Sequence, residues 1–424
     1  VRSTSAMMLT RGLSILIGVT LSVLLARWLA PEGYGAYLFT LTMAQFLAMP
    51  ILAGLPTLVV REVANASGRG NANDQAGITR WSIGFVLLTF LIVAAVFIAI
   101  IFFREQSADT LSIYYLSLPL VLALAFLRVG SAIVQGYEHP FAGSLGDGLI
   151  RPALLLVLVA AIAAAGVLTP AKALMLHMAA ATAAAMFAFG YWLFLCRDSR
   201  GSRPVTPHYR SREWFASLVP LGLVTAAALL NSRLDILMLG VLSADKNVGL
   251  YGIAIQLAGL VVMGQTIVNS IIAPKIARLY TEGSRSELNQ LITQAARFSS
   301  SIALAVFAFV FLLGEQLIDG LLGHEYSESW AVALILCASN MVCSAMGPVT
   351  PLMTMTSNER TMARLFWFTA LLNMILNVAL IPIYGVFGAA IATVISQLIR
   401  HVLMTRWSAV QLHIDTTILG RVIA

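Results

Sequence analysis

Charge is what this chain has least of. Asp, Glu, Lys and Arg make up 11% of it, against about 25% in soluble domains. Hydrophobic residues make up 59%. A core of ordinary size cannot hide that much apolar surface, so lipid is the expected solvent for much of it. Cysteine is also scarce: Cys196, Cys337 and Cys343 lie in or beside apolar runs, with neither metal-ligand spacing nor a disulfide framework. No Walker or dinucleotide glycine motif occurs. The six histidines are scattered, without a nucleophile or metal constellation. Nothing in the sequence points to catalysis or to a cofactor. The net charge of +7 is spread over short loops and forms no basic patch, which argues against nucleic acid as a partner.

What the sequence does hold is long apolar runs. A membrane-crossing helix needs about 20 such residues. Twelve runs of that kind lie near 7–30, 36–60, 81–103, 111–135, 148–168, 172–195, 214–242, 248–273, 293–314, 329–356, 362–384 and 386–409. The first is too long for a signal-peptide core, so it is expected to be a span. The expected fold class is all-α integral membrane, with about twelve transmembrane helices. Trp28, Trp81, Trp192, Trp214, Trp330 and Trp407 fall near run ends, where an amphipathic ring sits at headgroup level. With the N-terminus inside, nineteen of the 26 Lys and Arg fall on inside segments and adjoining helix ends, and four outside. Both termini are therefore expected in the cytoplasm.

The longest polar stretch, Arg197 to Glu213, carries Arg197, Arg200, Arg203, Arg210 and Arg212. It divides the chain into an N-terminal six-helix lobe (1–196), a cytoplasmic linker (197–213), a C-terminal six-helix lobe (214–409) and a cytoplasmic tail (410–424). The linker's charge suits anionic headgroups. The lobes echo one another: Leu29 to Tyr37 reads LAPEGYGAY, and Leu242 to Tyr251 reads LSADKNVGLY. Counting 24 residues on from each tyrosine reaches Arg61 and Lys275. Because six is even, the halves enter from the same side as parallel repeats about an axis along the membrane normal.

Three stretches carry a family resemblance. The first is Ala26-Arg27-Trp28-Leu29-Ala30-Pro31-Glu32-Gly33-Tyr34-Gly35, followed by Gly54-Leu55 and Arg61-Glu62. The second is Asp235-Ile236-Leu237-Met238-Leu239-Gly240 with Val248-Gly249-Leu250-Tyr251. The third is Ile381-Pro382-Ile383-Tyr384-Gly385-Val386-Phe387-Gly388-Ala389-Ala390. Together, and in order along nearly the whole chain, they resemble the Wzx-type polysaccharide flippases of the multidrug/oligosaccharidyl-lipid/polysaccharide exporter superfamily. The resemblance implies two six-helix bundles arranged as a V. It also implies movement of an undecaprenyl-pyrophosphate-linked oligosaccharide between leaflets of a bacterial inner membrane. A polysaccharide polymerase and chain-length machinery are the partners it suggests, besides the lipid-linked oligosaccharide and membrane lipids themselves.

A diphosphate-linked sugar needs a cationic docking point, and arginine bonds phosphate oxygens bidentately. Arg11 starts a stripe with Ser14, Gly18 and Ser22 on one helical face. It either faces a cavity or snorkels to headgroups. Arg61 and Lys275 are substrate candidates set against a role as positive-inside anchors. Arg128 lies deeper, with Gln135 on the same face. Asp147 and Arg151 are spaced as an intrahelical pair. Gln256, Gln265 and Asn269 are candidates to bond sugar hydroxyls, as are Asn340 and Gln397; the alternative for each is helix-packing glue.

A second group, Asp235, Asn231, Asn373, Asn377 and Thr393, offers hard oxygen ligands suited to an alkali cation. It is similar to the sodium site of the lipid II flippases in the same superfamily, whose helix-eleven pair is an amide and an acid; here both are Asn. Coupling to sodium, protons or the membrane potential is the expectation, against plain interhelical hydrogen bonding. Three other functions compete. A cation-coupled multidrug exporter would want acids where the first half offers Arg11, Arg61 and Arg128. A membrane glycosyltransferase or polymerase would usually carry larger outside loops. A scaffold leaves the buried charges unexplained.

Overall fold

The computed structural model describes residues 2–102, 108–166, 168–199 and 206–420; the side chains of 2–9, 11, 108–114 and 198–199 lie outside the description. Every regular element among the described residues is helical. The elements are α1 (Arg2–Leu52), α2 (Leu55–Gly68), α3 (Ala72–Phe102), α4 (Ala108–Gly136), α5 (Pro140–Leu145), α6 (Arg151–Ala164), α7 (Pro170–Ser199), α8 (Ser211–Leu242), α9 (Asp245–Thr281), α10 (Arg285–Leu321), α11 (Glu328–Ala345), α12 (Val349–Met355), α13 (Glu359–Tyr384) and α14 (Val386–Trp407). A π-helical turn, Gly146–Ile150, joins α5 to α6.

Among the described residues, eleven helices are long and apolar enough to cross a membrane. One of them, α1, is two helices meeting at Ala30, whose φ of 56° and ψ of 171° are not helical. Pro31 causes the break, because its ring disfavours the helical region for the residue before it. Both N-terminal runs are therefore present. The second ends sooner than its hydropathy suggests, at Leu52. Gly54 then takes a left-handed φ of 72° at the N-cap of α2. A Cβ there would lie 2.3 Å from the Cβ of Leu221 on α8. The run expected at 329–356 is likewise broken, between α11 and α12. Gly347 turns there with φ 78°, and a Cβ on it would strike the Thr416 carbonyl oxygen at 1.8 Å.

The chain forms two compact units. The first comprises Val1–Leu29 and Phe39–Ala226; the second comprises Ala30–Leu38 and Ala227–Ala424. In the first, α4 is the central helix, packed against α2, α3, α5 and α7. Its Leu120, Val121, Ala125, Leu127, Val129 and Ile133 are fully buried. In the second, α9 is central, against α10, α11, α12 and α14. Large apolar side chains also cover the outside: Leu91 is 64%, Leu312 65% and Ile383 71% exposed. Water would not tolerate so many at such exposure, so these faces are built for lipid.

Both units use glycine to bring backbones together. In the second, a Cβ on Gly35 would meet the Asp245 carbonyl oxygen at 1.8 Å, and one on Gly249 would meet that of Pro31 at 2.1 Å. The two echoing motifs thus pack on each other. In the first, the segment before α8 is strapped across the start of α3. The backbone N–H of His208 donates to the Asn73 carbonyl at 3.1 Å, and that of Thr206 to Asn73 Oδ1 at 3.0 Å. Arg210 and His208 grip Asp74 at 3.0 and 2.9 Å. Trp214, expected at headgroup level, is instead buried with its ring centroid 5.2 Å from that of Trp81.

Candidate functional site

In the first unit, α1, α2, α4 and the α5–α6 segment enclose a cavity of about 430 Å³. Thr10, Ser14, Arg128, Ser131, Gln135 and Asp147 give it a polar wall; Pro56, Val60 and Leu149 add apolar surface. Arg128 Nε lies 3.1 Å from Asp147 Oδ2, and Arg151 Nη2 lies 2.9 Å from Oδ1 of the same carboxylate. One acid thus meets two guanidinium groups, so the site carries a surplus positive charge. Arg151 continues to the buried His177, Nη1 to Nε2 at 2.9 Å, and is anchored. The Arg128 side chain remains 57% exposed on the cavity wall, so its fork stays within reach of an anion.

The structure brings Arg128 and Gln135 to this wall as their shared face implied. Arg61 is not part of it, although Thr57 and Val60, on the preceding turn, are. Arg61 bonds Glu62 Oε1 at 3.1 Å and Ser217 Oγ at 3.1 Å. The Arg11 side chain lies outside the described residues, while its neighbours Thr10 and Ser14 line the cavity. The single Ser14 hydroxyl proton is shared between the carbonyls of Thr10 and Gly148, both within hydrogen-bond reach, tying α1 to the π-helical turn.

In the second unit a buried polar cluster joins α8, α9, α13 and α14. Asp235 is 7% exposed. It accepts from Asn377 Nδ2 at 2.8 Å and from Thr393 Oγ1 at 2.8 Å. Thr393 has one proton; with that proton given to Asp235, its oxygen accepts from Tyr251, 2.8 Å away. Asn377 also donates to Asn373 Oδ1 at 2.9 Å, and Asn373 donates to Ser396 Oγ at 3.2 Å. The Asn377 Oδ1 atom is buried without a hydrogen-bond partner. A hard-oxygen cluster with one unfilled acceptor and one carboxylate is chemistry that fits an alkali cation or a proton. No group of three or more His, Cys, Asp or Glu fit for a metal occurs among the described residues.

Asn231 is oriented away from this cluster. It donates to the carbonyls of Ala227 and Phe366 and accepts from Arg400 Nη1 at 2.5 Å. Arg400 also sits 5.0 Å above the Phe366 ring and within electrostatic reach of Asp235. Arg400 is one of the nineteen Lys and Arg counted on the inside; its reach into the cluster needs the packing of α8, α13 and α14. Tyr251 was legible as part of a repeated motif, though not as a hydrogen-bonding group. Gln256 is exposed on α9, while Gln265 and Asn269 are half-buried there. Asn269 Oδ1 is buried without a partner. Asn340 and Gln397 bond each other at 2.7 Å, and Asn340 bonds the Ala258 carbonyl at 3.1 Å, which links α9, α11 and α14. Lys275 lines a separate, basic trough in the same unit, of about 800 Å³.

The family described as polysaccharide biosynthesis protein matches residues 1–280. A probable low-salt glycan biosynthesis flippase, Agl15, of Haloferax volcanii is 23% identical over 41% of this chain and 36% of its own length. A capsular polysaccharide biosynthesis protein, CapF, of Staphylococcus aureus is 25% identical over 44% of this chain and 48% of its own. The matched stretch thus spans less than half the length of either relative. A solved multidrug resistance MATE family transporter of the MOP superfamily, in its inward-facing conformation, superposes with a TM-score of 0.76 at 16% identity. That superposition covers 94% of each chain and shows a shared fold. With its polar sites set in an all-helical, lipid-faced framework and the family match covering well over half its length, the chain belongs to the polysaccharide biosynthesis protein family.

Proposed function

We propose that the protein is a flippase that carries an undecaprenyl-pyrophosphate-linked oligosaccharide from the cytoplasmic to the periplasmic leaflet of a bacterial inner membrane. On this reading it is a transporter and not an enzyme, works by alternating access, and keeps both termini in the cytoplasm. A polysaccharide polymerase and chain-length machinery receive its product. The observation that carries the reading is Arg128, a half-exposed guanidinium on a polar cavity wall inside a lipid-faced helical unit. Its pairing with Asp147 prevents an uncompensated charge at rest. An incoming diphosphate has more charge than one carboxylate and competes for the same fork. Arg11, Arg61, Lys275, Gln256, Gln265 and Asn269 are the further substrate contacts proposed. The Asp235, Asn373, Asn377 and Thr393 group is proposed to couple transport to sodium, protons or the membrane potential, with Asn231 outside the group and holding Arg400 beside it.

The test is complementation of a flippase-deletion strain by Arg11→Ala plus Arg128→Ala, with membrane insertion measured in parallel. Surface polysaccharide falls at least about tenfold, the weight of about 1.4 kcal/mol, while the protein still inserts. Normal polysaccharide from an inserted double variant would remove both arginines from the mechanism. A multidrug exporter of the same fold is the second reading, favoured by the MATE likeness. It would show as altered drug susceptibility with unchanged polysaccharide.

A further inference from the structure

The basic end of the second unit has a feature that transport through a central path does not use. The first turns of α10 present one polar face outward. Ser286, Gln290, Thr293 and Gln294 occupy it, and Arg285 and Arg297 close its two ends, about 18 Å apart along the helix axis. The chain after α14 roofs it, through Leu412, His413 and Gly420. The result is a trough of about 740 Å³ with no carboxylate among its lining residues. Gln290 and Gln294 also line the neighbouring cavity that holds Lys275 and Arg278, so the two spaces share a wall. Arg278 is partly neutralised there by Glu282 at 3.5 Å, and Glu287 lines that side.

The two arginines are held in place and yet keep spare donors. Arg285 Nη1 donates to the Leu412 carbonyl at 2.7 Å and lies over the Tyr280 ring at 5.1 Å. Arg297 uses Nε for the Ile418 carbonyl at 3.1 Å. Its two terminal nitrogens have no protein partner among the described residues. A guanidinium fixed through one nitrogen is preorganised to bond phosphate oxygens with the others. An independent observation concerns the acceptor side: Asn289 lines the trough, and its Oδ1 is buried with no hydrogen-bond donor. Phosphate cannot satisfy an acceptor, but a hydroxyl can.

We propose that this trough is a binding site for a phosphate ester bearing neighbouring hydroxyl groups. Phosphatidylglycerol-type headgroups share that chemistry with free glycerol or sugar phosphates. The site does not depend on what the protein transports, and binding to it is measurable without any flipping assay.

Native mass spectrometry of the detergent-purified full chain, offered phosphatidylglycerol or phosphatidylethanolamine, tests it. Wild type retains phosphatidylglycerol about tenfold over phosphatidylethanolamine, whose ammonium group cancels its phosphate charge beside the two arginines; a tenfold preference corresponds to about 1.4 kcal/mol. Arg297→Gln loses the preference. Arg360→Gln, which removes the same charge from the exposed start of α13, keeps it. Gln294→Glu leaves every contact of the C-terminal segment in place and also loses the preference, by repulsion. Asn289→Ala weakens phosphatidylglycerol and leaves phosphatidic acid unaffected. Displacement of the lipid by glycerol 3-phosphate would assign the site to free esters; failure to displace would assign it to lipid. Equal retention of the two lipids by wild type overturns the proposal. So does an Arg360→Gln loss as large as that of Arg297→Gln, or a Gln294→Glu variant that binds like wild type.

Discussion

Asp235 takes its two hydrogen bonds from different helices, Asn377 on α13 and Thr393 on α14. Removing one donor therefore leaves a buried charge short of a partner. Asn377→Leu is expected to lower stability by about 1–3 kcal/mol, because it orphans Asp235 Oδ1 and Asn373 Oδ1 together. A thermal-unfolding shift in detergent checks this. Asp235→Asn keeps the size and removes the charge. Its transport is expected to lose dependence on sodium or on the membrane potential in proteoliposomes; wild-type dependence would exclude the carboxylate from coupling. The i, i+4 spacing of Asn373 and Asn377 was readable in the sequence, because one helix fixes which side chains share a face. The turning of Asn231 toward Arg400 was not, since α14 lies 169 residues on and periodicity carries no information about a second helix. The same limit hid Arg128 from Asp147: the near partner, Arg151, follows from spacing within one helix, while the far one needs α4 packed against the π-helical turn.

At the scale of elements, glycine decides where helices may touch. Gly35 and Gly249 let the start of the second span lie against α9 at backbone contact. Gly35→Ala is expected to destabilise the protein by about 1–3 kcal/mol, the typical cost of overpacking. Gly84→Ala, which meets nothing within 4 Å, is expected to be silent or mildly stabilising. Membrane-fraction yield and melting temperature distinguish the two. The strap over α3 behaves differently, because its hold is polar and at the edge. Asp74→Asn weakens the grip on Arg210 and His208, so trypsin should cut at Arg210 and Arg212 faster than in wild type; an unchanged rate would mean the backbone bonds to Asn73 suffice. The sequence marked this stretch as a polar linker by its arginines. It could not show that Asp74, 136 residues earlier, was waiting for it.

For the whole molecule, hydropathy was the strongest signal and the structure follows it closely. Among the described residues, eleven long apolar helices, one of them broken at Ala30, reproduce the two N-terminal runs and the ten behind them. Lipid imposes that legibility, because backbone groups must be satisfied within each span. Hydropathy was blind to interruptions against which distant parts of the chain pack, as at Gly54 and Gly347. It also missed the docking of residues after α14, where the Ile418 N–H donates to the Ala345 carbonyl at 3.0 Å and Thr416 Oγ1 to that of Met346 at 2.8 Å.

The path of α1 has a genetic consequence. Ala30–Leu38 belongs to the second unit although the residues on either side belong to the first. A gene severed between codons 199 and 206 would therefore yield two products that are obligate mates. The shorter polypeptide, made alone, carries a stitch with no cloth to hold it and should be degraded. Made beside its complement, it should survive and copurify with it. Independent survival of the shorter polypeptide would show the stitch to be dispensable.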